Sequence, residues 1–314
     1  NSFCTLLGVV MSATEIATQH EDAVHDTRFD YYGRFVATAS SDKTVRVFAT
    51  GIENTGAALA KLTGHDGPVW MVDWAHPAFG VALASCSYDG KAIVWKGSDD
   101  GTSWKASHVI AAHNASVNAV AFSPPANGLA VATASSDGSV LVTPCVDGAW
   151  RESINIAAGE PQGAHPMGAL GVCFAPATDA AAPALLASGG ADSTTKVWSR
   201  GDNGAWTLAQ TFKEHSDWVR DVAFSPDASG KYVVLASCSQ DKTVVIRRAA
   251  RDAIGEWETS TPVVFDEPVW RLSWSPCGTM LLATTGNSQA FVLKQGATFG
   301  DEWIRSPLSQ EEAA

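Results

Sequence analysis

Residues Gly64–Trp95 read GHDGPVWMVDWAHPAFGVALASCSYDGKAIVW and contain three short apolar runs separated by turn residues. The runs Val69–Trp74, Val81–Ser87 and Ala92–Trp95 have the length of strands, and Pro, Gly and Asp lie between them. This pattern predicts an antiparallel three-stranded meander. Such a small sheet cannot bury both of its faces alone, so it needs neighbours of its own kind.

The register of this segment recurs along the chain. Counted from His65, the template has Val at +4, Val at +7 and Trp at +9. Equivalent triplets are Val24/Thr27/Phe29, Val117/Val120/Phe122, Ala169/Val172/Phe174, Val219/Val222/Phe224 and Val269/Leu272/Trp274, after the anchors His20, His113, His165, His215 and Phe265. The anchors lie 45 to 52 residues apart, a period typical of four-stranded propeller blades. The sequence therefore predicts an all-β propeller of six blades.

A Ser/Thr-containing strand and an aspartate turn follow each histidine, and in two copies a tryptophan lies six residues beyond the aspartate. This punctuation resembles the WD-repeat family, which implies a buried hydrogen-bonded set of His, Ser/Thr, Asp and Trp in each blade. The complete sets are His65/Ser85/Asp89/Trp95 and His165/Ser188/Asp192/Trp198, and a third set is His215/Ser237/Asp241, with Arg247 in the place of the tryptophan. The other blades are expected to depend more on packing.

The composition excludes several classes of function. With 33 acidic and 21 basic residues the net charge is −12, and no basic stripe suited to a phosphate backbone is visible. No run approaches the roughly 18 apolar residues of a membrane span, so we expect no direct membrane insertion. The six cysteines form no CxxC pair and are expected to be free thiols of a reducing compartment.

The sequence does not favour an enzyme. Ser, His and Asp recur together, but a catalytic set would be unique, whereas this one repeats at equivalent positions in the blades. His20 and His25 lie among acidic residues, but their spacing on a strand entry brings the two rings into no special relation for a metal. No glycine-rich phosphate loop lies between a strand and a helix. We therefore predict no catalytic residue, no metal and no cofactor.

The repeats delimit the domain organisation. Residues 11–308 are predicted to form one propeller domain, with 1–10 an upstream remnant before Met11 and 309–314 a frayed polar tail. A segment of outer-strand type, Ser12–His20, precedes the first inner strand, and another lies near Trp303. The chain thus has seven outer-type strands for six inner ones. This surplus, with the degenerate sixth repeat, fits a ring that does not close on itself.

Several longer strings are more specific than the repeat itself. The chain reads HEDAVHDTRFDYYG at 20–33, GHDGPVW at 64–70, ASCSYD at 84–89, EHSDWVRDV at 214–222 and ASCSQD at 236–241. These strings resemble the family of small WD-repeat subunits of the COPII vesicle cage, and the resemblance covers roughly residues 15–303. It implies an open six-bladed propeller, completed by a seventh blade that a partner chain inserts.

The resemblance also implies partners and locations. The expected partner is the large rod-forming COPII outer-coat subunit at endoplasmic reticulum exit sites and on vesicles. A helical nucleoporin of the nuclear pore Y complex and a nutrient-signalling complex are further expected partners. The expected role is a non-catalytic scaffold that stiffens a helical rod during transport from the endoplasmic reticulum to the Golgi.

Strand addition is the expected mode of assembly, in which a donated sheet pairs its main chain with the edges of the first and last blades. From their position, the candidate contacts are Ile16, Thr18, Phe291 and Leu293. The alternative is a closed propeller that acts as a peptide-binding adaptor in a ubiquitin ligase or signalling complex. In that case Trp70 and Trp218 near the inner strands would carry binding, and the edges of the end blades would not.

Overall fold

A computed structural model describes residues 17–50, 57–177, 184–226, 230–296 and 302–307. Within these residues the strands form six antiparallel sheets, and each sheet is built from one consecutive stretch of chain. The predicted all-β propeller of six blades is therefore confirmed. The proposed remnant 1–10 and tail 309–314 lie outside the described residues, as does most of the outer-type strand predicted at 12–20.

Each blade runs in chain order from an inner to an outer strand. Blade 1 contains β1 Val24–Phe29, β2 Phe35–Ser40, β3 Thr44–Ala49 and β4 Ala60–Thr63. Blade 2 contains β5 Val69–Trp74, β6 Ala82–Ser87, β7 Ala92–Gly97 and β8 Trp104–Ile110. Blade 3 contains β9 Val117–Phe122, β10 Ala130–Ser135, β11 Val140–Val146, β12 Ala149–Trp150 and β13 Ile154–Asn155.

The second half repeats this order. Blade 4 contains β14 Ala169–Phe174, β15 Leu185–Gly190, β16 Thr195–Arg200 and β17 Trp206–Phe212. Blade 5 contains β18 Val219–Phe224, β19 Tyr232–Ser239, β20 Thr243–Ala250, β21 Trp257–Thr259 and β22 Val263–Val264. Blade 6 contains β23 Val269–Trp274, β24 Met280–Thr285, β25 Ala290–Lys294 and β26 Ile304–Pro307. Among described residues the only helical segments are two 3₁₀ turns, Pro77–Phe79 and Pro125–Asn127. No helix in them is long and apolar enough to cross a membrane.

Two local features recur because the same residue types recur. Every inner strand carries a β-bulge near its start, for example between Val69 and Met71. After the turn aspartate or asparagine, the next residue always has positive φ, at Lys43, Gly90, Gly138, Ser193, Lys242 and Ser288. A left-handed residue closes the tight turn between the second and third strands. In blade 2 the Asp89 carboxylate then accepts the Lys91 N–H at 2.9 Å.

Consecutive blades pack face to face around a central axis. The inner strands contact in sequence, β1 with β5, β5 with β9, β9 with β14, β14 with β18, and β18 with β23. Small residues on the second strands, such as Ala84, Ala132 and Ala236, are fully buried and let the neighbouring blade approach closely. Among the described residues, β23 and β1 make no comparable contact. The ring is therefore open between blades 6 and 1.

Candidate functional site: the gap between the first and last blades

Five histidines hold their blades together in the same way. His65 lies between Asp89 (Nδ1 to Oδ2, 3.0 Å) and Ser85 (Nε2 to Oγ, 2.8 Å), and Trp95 Nε1 donates to Ser85 Oγ at 2.8 Å. Blade 4 repeats this set with His165, Asp192, Ser188 and Trp198. The histidine, hydroxyl and carboxylate also meet as His20/Thr38/Asp42, His113/Thr133/Asp137 and His215/Ser237/Asp241. Blades 1 and 3 therefore keep the His, Thr and Asp triad although they lack the tryptophan, whose place is taken by Phe48 and Thr143.

The electrostatics of these sets favour neutral histidine and charged aspartate. Burial lowers the pKa of His113 and His165, and the facing aspartate only partly offsets this. Burial raises the pKa of Asp89, but hydrogen bonds from His65 and from the Asp66 and Lys91 N–H groups outweigh it and lower the pKa to about 2. A carboxylate that accepts several hydrogen bonds stays ionised. The sets are structural, since each member is already satisfied by the others.

Arg247 performs the tryptophan's role in blade 5. Its side chain is fully buried, and Nη1 donates to Ser237 Oγ at 2.9 Å, as the tryptophan Nε1 does in blades 2 and 4. Its Nη2 pairs with Glu214 Oε2 at 2.5 Å, and the guanidinium lies 4.5 Å from the centre of the Phe212 ring. The substitution therefore keeps the donor and adds a charge partner for it.

Blade 6 has replaced the polar set as a whole. Phe265, Ala283 and Leu293 stand where other blades have His, Ser/Thr and Trp, and all three are buried. Phe265 packs edge-on against Phe291 with ring centres 5.3 Å apart. Asn287 stands in the place of the aspartate, and its side chain accepts a hydrogen bond from Thr285 Oγ1 and donates one to Gln289 Oε1. The histidine and the hydroxyl have gone together, so neither is left without the other.

At the closed junctions, the inner-strand triplet of one blade packs against the preceding blade. Val69 and Val72 are fully buried in one cluster with Ala37, Ala39 and Val47 of blade 1. The first triplet residues Val117, Ala169, Val219 and Val269 are also fully buried. The triplet is thus the surface by which each blade recognises the one before it.

In blade 1 the same triplet is exposed. Val24 is 40% exposed and Phe29 is 66% exposed, and Thr27 is exposed as well. Their equivalents are buried or half-buried in the five other blades. Exposed apolar residues that cluster on one face mark an interaction surface. This face has the composition of a blade-to-blade contact.

The facing wall on blade 6 is incompletely covered. Leu282 and Val292 are half-buried and Met280 is 37% exposed. At the position of Leu282 the other blades have an alanine that is fully buried by the following blade. A cleft separates the two walls and is lined by Val24, His25, Asp26, Thr27 and Arg28 from β1 and by Arg271, Leu272, Ser273, Leu282 and Thr284 from β23 and β24.

Of the four candidate contacts predicted from their position, the three that the structure describes do not line the cleft. Ile16 lies outside the described residues, and Thr18 is half-buried in a segment without strand structure. Phe291 and Leu293 are buried against Val244 and Ile246 of blade 5, so they point away from the gap. Alternation along β25 places Val292 on the gap side instead. The apolar gap residues that position alone missed are Val24, Phe29, Leu282 and Val292.

The predicted edge pairing stays a prediction, and the geometry of the closed junctions favours a contact between sheet faces. Both end blades already contain four strands of their own chain, and all observed junctions are contacts between sheet faces. An element that fills the gap would therefore pack between two faces, as a whole blade does. Two signals in the sequence point to these faces, Thr27 in the place of Val and Leu282 in the place of Ala.

The described residues contain no metal centre and no disulfide bond. No cluster of three or more His, Cys, Asp or Glu side chains among them could hold a metal ion. Cys86, Cys145, Cys173, Cys238 and Cys277 are free thiols. Burial raises the pKa of Cys86 and Cys173, which makes these two thiols unreactive.

Comparison with known proteins agrees with this architecture. The family described as "WD domain, G-beta repeat" matches residues 13–48, 56–96, 104–142 and 206–247. The chain is 41% identical over 305 residues to "Protein SEC13 homolog" of Drosophila melanogaster, covering 93% of this chain and 82% of that protein.

Two further relatives extend the likeness to a plant and a fungus. "Protein transport protein SEC13 homolog A" of Arabidopsis thaliana is 42% identical over 311 residues, 93% of this chain and 97% of that protein. "Protein transport protein sec13" of Emericella nidulans is 38% identical over 309 residues, 91% and 96%. Six blades, five of which pair His, Ser/Thr and Asp, and matches at this identity over nearly the whole chain show that it belongs to the SEC13 family of WD-repeat proteins.

Proposed function

We propose that this chain is a non-catalytic scaffold subunit of the COPII vesicle coat and receives a seventh blade from a large rod-forming coat subunit. The observation that carries the proposal is the uncovered blade-packing triplet on β1, which faces the half-covered wall of blade 6. The printed names of fungal and plant relatives, "protein transport protein", support a role in transport.

The geometry suits a permanent joint. A filled gap would bury the apolar residues Val24, Phe29, Leu282 and Val292 between two sheet faces, as every other junction buries their equivalents. Interfaces that resemble a divided core are usually obligate and bury more than about 2,000 Å². The completed ring would be a rigid body fixed to the rod, which would stiffen the rod over a curved vesicle without touching lipid.

The same gap would accept a blade of equal shape from another chain. A helical nucleoporin of the nuclear pore Y complex, and a subunit of a nutrient-signalling complex, are further partners of this kind. In this proposal the protein is cytoplasmic and peripheral at endoplasmic reticulum exit sites, on COPII vesicles and at the nuclear envelope. The adaptor alternative requires a closed ring, and the gap between β23 and β1 argues against it.

Affinity purification from native extract in high salt, followed by mass spectrometry, tests the proposal. We expect stoichiometric recovery of a rod-type coat subunit. Val24→Glu and Leu282→Glu place a charge on each wall of the gap and are expected to remove that subunit. Met167→Glu is the matched control, because Met167 is 68% exposed and lies away from the gap. A chain that purifies alone, or only with ligase adaptors, would refute the proposal.

A further inference from the structure

At three of the five closed junctions, an aspartate on the inner strand of one blade caps the backbone of the next blade. Asp26 Oδ2 accepts the Val72 N–H at 3.1 Å, and Asp221 Oδ2 accepts the Leu272 N–H at 3.0 Å. In blade 2, Asp73 Oδ2 accepts the Phe122 N–H at 2.7 Å. In each case the carboxylate belongs to the preceding blade. A buried backbone N–H needs such an acceptor, because an unpaired one costs the full desolvation free energy.

On blade 1 the corresponding N–H has no such acceptor. Thr27 lies opposite Thr38, as Val72 lies opposite Ser85, so its N–H faces the gap rather than β2. No side chain in the described part of the chain accepts a hydrogen bond from it. In the open ring water can do so, but a blade that fills the gap excludes that water. The preceding blade supplies this acceptor to Val72 and Leu272, whereas Met71 and Ala119 occupy the capping position before blades 3 and 4. A carboxylate on the incoming blade would give the Thr27 N–H the acceptor that Asp26 gives Val72.

On blade 6 the capping position carries the opposite charge. Six residues after each anchor, blades 1 and 5 have Asp26 and Asp221, whereas blade 6 has Arg271. The guanidinium of Arg271 contacts Trp70 O at 3.4 Å and Met71 Sδ at 3.9 Å. Within the described ranges no carboxylate lies within 4.0 Å of it. Burial raises the pKa of Asp221, and the charge of Arg271 partly offsets this, so Asp221 is the acidic group that Arg271 already senses at longer range.

Trp270 adds a third donor to the gap. In blade 2 the equivalent Trp70 donates from Nε1 to Ser116 Oγ of the following blade at 3.0 Å. Asn118 does the same in blade 3, donating to Ala169 O of blade 4 at 2.8 Å. Trp270 is 45% exposed, and no acceptor for its Nε1 is present among the residues that the structure covers. Both walls of the gap therefore offer donors near the axis.

We infer that the blade inserted into the gap carries a carboxylate on its inner strand, which accepts the Thr27 N–H and pairs with Arg271. The inference rests on the proposed function and specifies the partner strand by its chemistry. Asp26 already shows that one carboxylate can do both, since the oxygen that accepts the Val72 N–H also lies 3.4 Å from Arg28 Nε. Trp270 Nε1 then donates to a hydroxyl or carbonyl of the same strand.

This arrangement gives specificity. The chain as a whole has a net charge of −12, so a generally acidic partner gains no long-range attraction from it. A blade without the carboxylate would bury the Arg271 guanidinium with only the Trp70 carbonyl and no ion pair, which is unfavourable. Arginine at this position therefore rejects unsuitable blades more than it strengthens binding to the correct one.

The test uses the full chain and the rod-subunit segment that co-purifies with it, with affinity measured by titration calorimetry. Because Arg271→Glu places like charges together at a buried site, we expect a loss of affinity of about 100-fold or more, and about tenfold for Arg271→Met. Arg200→Glu on the exposed end of blade 4 is the control and is expected to change affinity less than twofold. The charges can also be exchanged, by combining Arg271→Glu with a segment in which an inner-strand carboxylate residue is changed to Arg. This pair is expected to bind at least tenfold more tightly than Arg271→Glu binds the unchanged segment.

The outcomes separate the two proposals. If the wild-type segment binds and Arg271→Glu binds within twofold of it, the carboxylate inference is wrong and the blade-completion proposal stands. If the segment binds the wild-type chain but contains no inner-strand carboxylate, the inference is also wrong. If no segment binds the wild-type chain, both proposals fail. Thermal unfolding of the free Arg271→Glu chain verifies that it folds like the wild type.

Discussion

Val24 and Val69 hold the same place in the first and second blades, yet Val69 is fully buried and Val24 is 40% exposed. Their strands have the same length, the same bulge and the same pairing register. The difference arises because β5 has a blade in front of it and β1 has none. The five closed junctions therefore show which contacts are missing at the gap between blades 6 and 1. They define the shape and the chemistry that a blade inserted into this gap needs.

The largest expected effect is the difference in the free energy of unfolding between aspartate substitutions at these two valines. Val69→Asp buries a charge in a closed junction and is expected to lower the free energy of unfolding by about 4 kcal/mol or more. Val24→Asp lies at the open junction and is expected to change it by less than about 0.5 kcal/mol. Urea denaturation of the free chain measures both. Equal destabilisation would mean that blade 1 is covered in solution.

Arg247 allows a second comparison, between two ways of filling one site. Arg247→Ala removes the donor to Ser237 and leaves Glu214 without its partner, so we expect a loss of about 3 kcal/mol. Arg247→Trp restores the donor found in blades 2 and 4 but leaves Glu214 half-exposed, and we expect a loss of about 1 kcal/mol. Urea denaturation ranks the two. If both variants were as stable as the wild type, Arg247 would have no role in blade 5.

The histidine sets make five blades sensitive to acid, in contrast to blade 6. The pKa values of His113 and His165 are lower when folded than when unfolded, so their contribution is fully present above pH 6.5 and is lost as the pH falls from 6.5 through the lower folded pKa. The pKa of Asp89 and Asp137 falls to about 2, so their contribution is present above pH 3.8 and is lost between about 3.8 and 2.

We therefore expect the unfolding temperature to decline from pH 7 and to decline more steeply below pH 4. Scanning calorimetry across this range measures the profile. Asp89→Asn is expected to flatten the steep part, whereas Asn287→Ala at the equivalent turn of blade 6 leaves it unchanged. A profile that is flat between pH 7 and pH 3 would contradict this account of the sets.

Thr27→Val is expected to have the smallest effect on stability and affinity, and it tests whether Thr27 is exposed in the free chain. Valine is the residue that most closed junctions have at this place, but Thr27 is exposed in the free chain. We expect the free energy of unfolding of the free chain to change by less than about 0.5 kcal/mol, and the affinity for the rod segment to change by no more than a few-fold. Parallel measurements of stability and affinity check this. A large gain in the stability of the free chain would show that Thr27 is already buried.

The fold was accessible from the sequence because every blade repeats the same local signals. The triplet, the aspartate turn and the positive φ after it are encoded within about 30 residues, so Gly64–Trp95 alone predicts three strands in nearly their observed bounds. The role of Arg247 was less accessible, since its partner Glu214 lies in the linker before the blade and only the folded chain brings them together.

The gap residues were the hardest to predict. Whether a residue at a propeller junction is exposed depends on a neighbouring blade, and the chain encodes no such neighbour for β1. Phe291 and Leu293 lie on the face of β25 that is buried against blade 5, and both faces of this strand are apolar, so alternation alone does not assign the gap side. Thr27, Arg271 and Leu282 differ from their equivalents, and these departures locate the gap.

Hydrogen exchange of backbone amides tests the central claim most directly. The Val72, Phe122 and Leu272 N–H groups are capped by aspartates at closed junctions, whereas the equivalent Thr27 and Phe29 N–H groups face the gap. We predict that Thr27 and Phe29 exchange rapidly in the free chain and become as protected as Val72 when the rod segment is bound. If they are already as protected as Val72 and Phe122 in the free chain, the ring is closed and the account is wrong.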